Sequence, residues 1–115
     1  MICNLTVKNG EEKLNCTVDV HKNSDESLYY IEPDELKTAC VFDTNKNHLV
    51  RDNTEMYMEI DFNLEKETNI KLKIKELDKE INFPLTTNKI EKDDKTIKIE
   101  YIIDNKKCMY KLKKV

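Results

Sequence analysis

Apolar and polar residues alternate along most of this chain, and the alternation limits what the chain can fold into. The pattern is clearest over residues 14–20, 56–62, 70–74 and 97–103. A period of two gives a β-strand one buried face and one face in contact with water. No segment carries apolar residues at the 3.6-residue period of a helix over three turns. The sequence therefore predicts an all-β protein.

Turn residues separate the alternating runs, and two of these turns suggest a strand register. Asn-Gly is the strongest short signal for a β-hairpin, and a two-residue turn at Asn9-Gly10 places Cys3 opposite Cys16. Both cysteines then lie on the apolar face of their strands. This hairpin would open an antiparallel meander.

A second hairpin turn is predicted at Asn105-Lys106 near the end of the chain. It places Tyr101 opposite Tyr110 on the apolar face. It also places Ile102 opposite Met109 on the face that contacts water. With the other runs and turns, the sequence predicts about eight to ten strands.

A meander without helices must bury its apolar face against itself. Closure into a barrel also removes the sheet edges that would pair with other chains. We therefore predict a single domain over residues 1–115, an antiparallel meander closed into a calycin-like or lipocalin-like barrel. A β-sandwich is the alternative architecture.

The composition argues against several classes of function. Basic residues number 20 and acidic residues 23, which gives a net charge of -3, and Arg51 is the single arginine. Balanced charge with so little arginine is typical of a solvated surface rather than of nucleic-acid binding. One glycine excludes a glycine-rich phosphate loop, and no apolar run is long enough to span a membrane. We expect neither a nucleic-acid nor a membrane partner.

The four cysteines and two histidines do not form a recognisable site. No two cysteines have C-x-x-C spacing, and neither histidine has a second metal ligand close by. No arrangement of Ser, His and Asp or of paired carboxylates favours catalysis. The sequence predicts no metal, no cofactor and no catalytic residue, and it favours reduced thiols in the core.

Three short motifs resemble a known family. They are YYIEPDE at residues 29–35, LVRD at 49–52 and LTTNKI at 85–90. In this order they resemble the YwiB-like family of small bacterial proteins, which is grouped with calycin-type β-barrels and has no established reaction. The resemblance implies a calycin-like barrel in the bacterial cytoplasm.

The favoured function is a non-enzymatic binding module for a small amphipathic ligand inside the barrel. An inward Arg51 would anchor a polar group of the ligand, unless it forms a structural ion pair with Glu32, Asp34 or Asp52. Tyrosine offers an apolar ring and a hydrogen-bonding tip, although it also fills ordinary cores. The candidate ligand-binding residues are Arg51, Tyr101, Tyr110, Met56, Met58 and Tyr30.

The alternative function is a protein-interaction or inhibitor module that acts through the outer face of the barrel. Ile102 and Met109 are its candidate patch, because paired apolar residues on an exposed face can mark a docking surface. Neither the ligand nor the partner can be identified from the residues.

Overall fold

The computed structural model describes residues 1–115 and contains eleven strands and no helix. All neighbouring strands pair antiparallel in one barrel-shaped sheet that is nearly closed. The predicted all-β barrel is therefore confirmed. The strands are β1 (Ile2–Asn9), β2 (Glu12–Asp19), β3 (His21–Lys22), β4 (Leu28–Ile31), β5 (Ala39–Asp43), β6 (His48–Asp52), β7 (Met56–Asp61), β8 (Thr68–Ile74), β9 (Lys79–Lys92), β10 (Thr96–Ile103) and β11 (Lys106–Lys114).

Two segments connect the part of the sheet formed by β1, β2, β10 and β11 with the part formed by β3–β8. Residues 79–85 of β9 pair with β8, and residues 86–92 pair with β10. β2 pairs with β1, and after the buried Val20 the chain continues as β3, which pairs with β4. The first and last strands in the sheet order, β2 and β3, are thus consecutive in the chain. Chain continuity closes the barrel at this point.

The strand β1 lies between β2 and β11, so the two ends of the chain are adjacent in the sheet. Cys3 is registered with Lys114, and the Val115 backbone N–H donates to the carbonyl oxygen of Ile2 at 3.1 Å. The barrel therefore depends on pairing between its first and last long strands.

The first predicted hairpin has the right faces but the wrong partners. Its turn is Gly10-Glu11, and Cys3 is opposite Val18 instead of Cys16. Gly10 has a φ of 65°, a conformation that glycine adopts without the steric cost that a side chain brings. Moving a two-residue turn by one position changes each partner by two positions, so inward residues stay inward.

The second predicted hairpin is wrong in the same way. Its turn is Asp104-Asn105, both residues having positive φ as a type I′ turn requires. Tyr101 is consequently opposite Cys108, while Tyr110 is opposite Ile99. The predicted Tyr101–Tyr110 and Ile102–Met109 pairs are both absent.

The core fills the inside of the barrel with the inward residues of ten of the strands. A β-bulge at Asn88 lets both Thr87 and Ile90 of β9 face this core. All four cysteines are free thiols, and three of them are buried. The buried apolar residues are Cys3, Leu5, Val18, Val20, Tyr30, Cys40, Phe42, Leu49, Ile60, Phe62, Ile70, Leu85, Ile97, Ile99, Tyr101, Cys108, Tyr110 and Leu112.

Candidate functional site

Arg51 faces the inside of the barrel, and a buried carboxylate holds it there. Arg51 is registered with the buried Cys40, and inward alternation in β4 continues past its last residue to Glu32, which is 5% exposed. The Nε and Nη2 groups of Arg51 each donate to one carboxylate oxygen of Glu32 at 2.8 Å. This two-point pairing is the strongest geometry available to an arginine and a carboxylate. Of the three partners considered from the sequence, Glu32 is the one that Arg51 binds.

The charges around this ion pair hold Arg51 in its protonated form. Burial acts to lower the pKa of Arg51, but the hydrogen bonds and negative charge of Glu32 outweigh it and raise that pKa above its usual value. The Cys40 thiol also donates to Glu32, at 3.0 Å. Burial and then this hydrogen bond raise the pKa of Cys40 far above its ordinary value. Cys40 is therefore an unreactive thiol, because the thiolate is the nucleophilic form.

Tyr30 and Tyr110 lie in the packed centre of the barrel. Their hydroxyl oxygens are 2.7 Å apart in a hydrogen bond, and the residues are 1% and 2% exposed. The Tyr110 ring stacks on Phe42 with centroids 5.7 Å apart. Burial raises the pKa of both phenols well above the usual value. These two predicted ligand residues are covered by other side chains.

Tyr101 is buried on the inward face of β10. Its ring contacts Phe62 with centroids 5.1 Å apart. Burial raises the pKa of Tyr101 to about 12, while the positive charge of Arg51 acts in the opposite direction. Tyr101 and Arg51 are therefore close enough to influence each other electrostatically.

Met56 and Met58 belong to an inward surface that neighbouring strands do not fully cover. Met58 is registered between Arg51 and Leu72, and Leu72 is registered with Ile81. Five of the six apolar residues there are partly exposed, and Phe83 is 39% exposed. The surface lies where residues 79–85 of β9 have no partner on the β10 side. We call Met56, Met58, Leu72, Ile74, Ile81 and Phe83 the open inner surface.

The structure thus divides the predicted ligand residues into two groups. Arg51, Met58 and Met56 lie together at the open inner surface, with Tyr101 close to Arg51. Tyr30 and Tyr110 lie in the packed centre instead. Arg51 is 29% exposed, and Glu32 engages two of the five N–H donors of its guanidinium group.

A separate cleft of about 190 Å³ opens at the other end of the barrel. Val20, Leu28, Ile97 and Leu112 form apolar parts of its wall, and Met1 also lines it. Three lysines and three acidic residues share its rim, so the rim favours neither sign of charge. None of the predicted ligand residues lines this cleft.

The predicted interaction patch is not a continuous apolar surface. Ile102 is opposite Lys107, and Met109 is opposite Glu100. Both apolar residues are only partly exposed. Each member of the patch therefore has a charged residue directly opposite it in the sheet, and the two are diagonal neighbours.

The list of candidate site residues from the sequence did not include two features of the open inner surface and its Arg51 ion pair. Leu72, Ile81 and Phe83 were recognisable as strand residues, but the uncovered part of β9 depends on where its pairing changes from β8 to β10. Glu32 was one of three possible partners for Arg51, and its inward position follows from the alternation of Leu28 and Tyr30. Extending that alternation by two residues beyond Tyr30 would have selected Glu32 as the partner of Arg51.

Three further features concern metal binding, buried polar atoms and membrane-spanning helices. No group of three His, Cys, Asp or Glu side chains is arranged to hold a metal ion. No buried side-chain nitrogen or oxygen lacks a hydrogen-bond partner. The structure has no helix that is long and apolar enough to cross a membrane.

Comparison with solved structures finds a protein of the same architecture. The crystal structure of the YwiB protein from Bacillus subtilis superposes with a TM-score of 0.60 at 14% sequence identity, covering 99% of this chain and 89% of that one. The chain has a YwiB-like fold. At this identity the YwiB similarity concerns the fold alone. No protein-family model and no curated protein sequence matches the chain.

Proposed function

We propose that this protein is a non-enzymatic binding module that takes a small amphipathic molecule at the open inner surface. The observation that carries the proposal is the row of inward apolar side chains, Met58, Leu72 and Ile81, that remains partly exposed beside Arg51. Ligand sites in barrels are mostly apolar with a few polar groups that fix orientation. Arg51 supplies such a group.

The ion pair narrows the chemistry of the ligand. Glu32 already neutralises Arg51, so the site has little net charge with which to hold an anion. The guanidinium N–H groups that Glu32 does not engage can still donate to a carbonyl or hydroxyl oxygen. A small neutral molecule with an alkyl chain and one oxygen acceptor fits these properties best. Free thiols favour a reducing compartment such as the bacterial cytoplasm.

The methionines provide a direct test, because the four of them report on different places. In protein with ¹³C-labelled methionine methyl groups, 1-octanol should shift the signals of Met56 and Met58. Met109 lies on the outward face of β11 and should not move. Met1 lines the other cleft, so a shift confined to Met1 would contradict the proposed site. Absence of any shift at Met56 and Met58 would also contradict it.

Two matched substitutions sharpen this test. Ile81→Gln places an amide in the open inner surface and should weaken octanol binding about ten-fold, since an isoleucine side chain contributes roughly 1.5–3 kcal/mol when buried. Ile102→Gln makes the same chemical change on the outward face of β10 and should leave binding unchanged. Equal effects of the two substitutions would assign the binding to another surface.

A further inference from the structure

The strand β2 has a free edge over residues 12–17. It ends the sheet order, and β1 is the one strand that pairs with it. The tip of the neighbouring β4–β5 hairpin, residues 33–37, is exposed and forms no backbone hydrogen bond with β2. The hairpin still comes near, since burial and then the negative charges of Glu32 and Asp34 raise the pKa of the Cys16 thiol. The barrel therefore closes near Val20 but leaves the first six residues of β2 unpaired on one side.

The backbone groups of alternate residues face this free edge. Antiparallel pairs alternate between those that exchange hydrogen bonds and those that do not. The Val20 backbone N–H donates to the carbonyl oxygen of Met1 at 2.7 Å, so the even-numbered residues of β2 bond to β1. The N–H and C=O groups of Lys13, Asn15 and Thr17 therefore point away from β1, where no backbone group pairs with them. Such a row can be matched only by another extended backbone.

The side chains at this edge leave it open to pairing. Leu14 faces inward but is 46% exposed, whereas Leu5 on β1 is 1% exposed. Residues 12–17 contain no proline and no bulge. The free edge of β9, at residues 79–85, contains Pro84, and proline is one of the residues that prevent edge strands from pairing. The edge of β2 lacks that protection.

The free edge of β2 is complementary to itself. When two copies align antiparallel with Asn15 opposite Asn15, Lys13 of each copy lies opposite Thr17 of the other. The six free backbone groups of each copy then all form hydrogen bonds. On the inward side, Leu14 of each copy lies opposite Cys16 of the other, which covers the exposed Leu14 side chain. An alignment with Leu14 opposite Leu14 would instead place Thr17 opposite the turn residue at position 11.

The charges along this alignment do not oppose pairing. Lys13 is the one charged residue within residues 13–17, and it lies opposite a threonine. At each end of the segment, Glu11 comes near Asp19 of the other copy. Asp19 is already paired with the terminal amino group of Met1 at 3.1 Å and lies 3.6 Å from His21.

Charge alone does not select the occupant of this edge. The exposed tip of the β4–β5 hairpin carries Asp34, Glu35 and Lys37, so the surroundings contain both signs. The match of backbone groups and inward side chains is what distinguishes a second copy from other extended segments.

We propose that β2 pairs antiparallel with β2 of a second copy, centred on Asn15, and joins two barrels into one continuous sheet. The same segment serves both copies, so the assembly closes as a two-fold dimer. Six residues a side make a small interface, which corresponds to a dissociation constant of about 10 µM. The edge of β2 is separate from the open inner surface, which lies on β7, β8 and β9.

Sedimentation equilibrium tests the proposal with a matched pair of substitutions. At about 100 µM the wild-type protein should have twice the 13.7 kDa mass of the chain. Asn15→Pro removes an N–H from the free edge but no hydrogen bond to β1, and it should weaken the dimer at least about ten-fold. Asn15→Ala loses the same side-chain contact with Thr6 but keeps the N–H, so it should remain dimeric. Circular dichroism checks that both variants fold.

Two results of this experiment would overturn the proposal. One is a wild-type protein that is monomeric at this concentration. The other is a dimer that Asn15→Pro leaves intact, because another surface would then hold it together.

Cross-linking tests the alignment without relying on the proline variant. Leu14→Cys places a thiol opposite Cys16 of the other copy in a pair that exchanges no hydrogen bonds, where the Cα separation of about 4.5 Å suits a disulfide. Oxidised glutathione should therefore produce a covalent dimer of Leu14→Cys. Adding Cys16→Ser to this variant should abolish the cross-link. A cross-link that persists in the double variant would overturn the alignment centred on Asn15.

A peptide distinguishes a second copy from a foreign strand. The probe is a synthetic seven-residue peptide that alternates valine with threonine. A monomeric wild-type protein whose Lys13, Asn15 and Thr17 amide signals shift with this peptide would make a foreign strand the occupant. That result would overturn the second-copy proposal.

Discussion

The centre of the barrel and the open inner surface are built from the same kind of residue but packed differently. In the centre, Leu5 is 1% exposed and the Tyr30–Tyr110 hydrogen bond leaves no polar group unpaired. At the open inner surface, Leu72 and Ile81 also point inward but remain partly exposed. The inward pattern of a strand therefore determines which side chains can be buried. The pairing of its neighbours determines how far they are buried.

The largest expected difference between the two regions is in the cost of removing a leucine side chain. Leu5→Ala should lower the free energy of unfolding by about 2–5 kcal/mol, because it creates a cavity in a packed core. Leu72→Ala should cost only about 1 kcal/mol, because part of the side chain is already exposed. Urea unfolding of both variants measures this difference. Equal costs would show that the open inner surface is as well packed as the centre.

The Arg51–Glu32 pair lies at the boundary of the two regions and should be the next most costly feature to disturb. Arg51→Met leaves the buried Glu32 carboxylate without its partner and should destabilise the fold by about 3 kcal/mol. Changing Glu32→Gln as well should restore part of this loss, because no charge then remains buried. Thermal unfolding of the single and double variants tests the coupling. Additive effects would argue against a direct ion pair.

Alkaline pH should destabilise the fold through its three buried inward tyrosines. The pKa of Tyr101 is about 12 in the folded protein, and those of Tyr30 and Tyr110 are also raised, while an unfolded tyrosine ionises near pH ~10. The folded state thus holds these protons more tightly. Their stabilising contribution is complete below about pH 10 and is lost as the pH rises toward 12.

Absorbance at 295 nm, recorded together with circular dichroism, measures this alkaline transition. Ionisation of these three phenols should coincide with unfolding. Ionisation of all three while the β-sheet signal stays intact would contradict their buried environment.

The smallest expected effect concerns the hydrogen bond in the centre. Tyr30→Phe removes one hydroxyl and leaves that of Tyr110 buried without its partner, which should cost about 1–2 kcal/mol. Tyr30→Phe combined with Tyr110→Phe should cost less than the sum of the single changes, since no unpaired hydroxyl remains. Denaturant unfolding of the three variants forms the double-mutant cycle. A purely additive result would contradict a direct hydrogen bond.

Alternation in the sequence predicted which residues face inward, because side chains in a strand alternate regardless of the partner strand. Cys3, Tyr101 and Tyr110 are inward as predicted, yet each has a different partner from the one expected. Partner choice depends on turn geometry, and moving a turn by one position leaves the faces unchanged. Alternation alone could not detect that difference.

The candidate site was predictable only in part, because alternation predicts which face a side chain is on but not what it packs against. Arg51 was expected to face inward with Leu49, and a structural ion pair was among its predicted roles. The packing of Tyr30 against Tyr110 could not be inferred, because they lie on strands that are not neighbours in the sheet.

The pairing of β1 with β11 has a consequence for the order in which the barrel forms. Cys3 is registered with Lys114, so nearly the whole chain must be synthesised before this pair can form. The β1–β2 hairpin can fold early, since its strands are close in sequence, but the edge of β1 that pairs with β11 stays unpaired until then. Pairing between such distant segments slows folding, and a waiting edge can bind other chains. During synthesis, protection of that edge should therefore matter more to this protein than protection of any later hairpin.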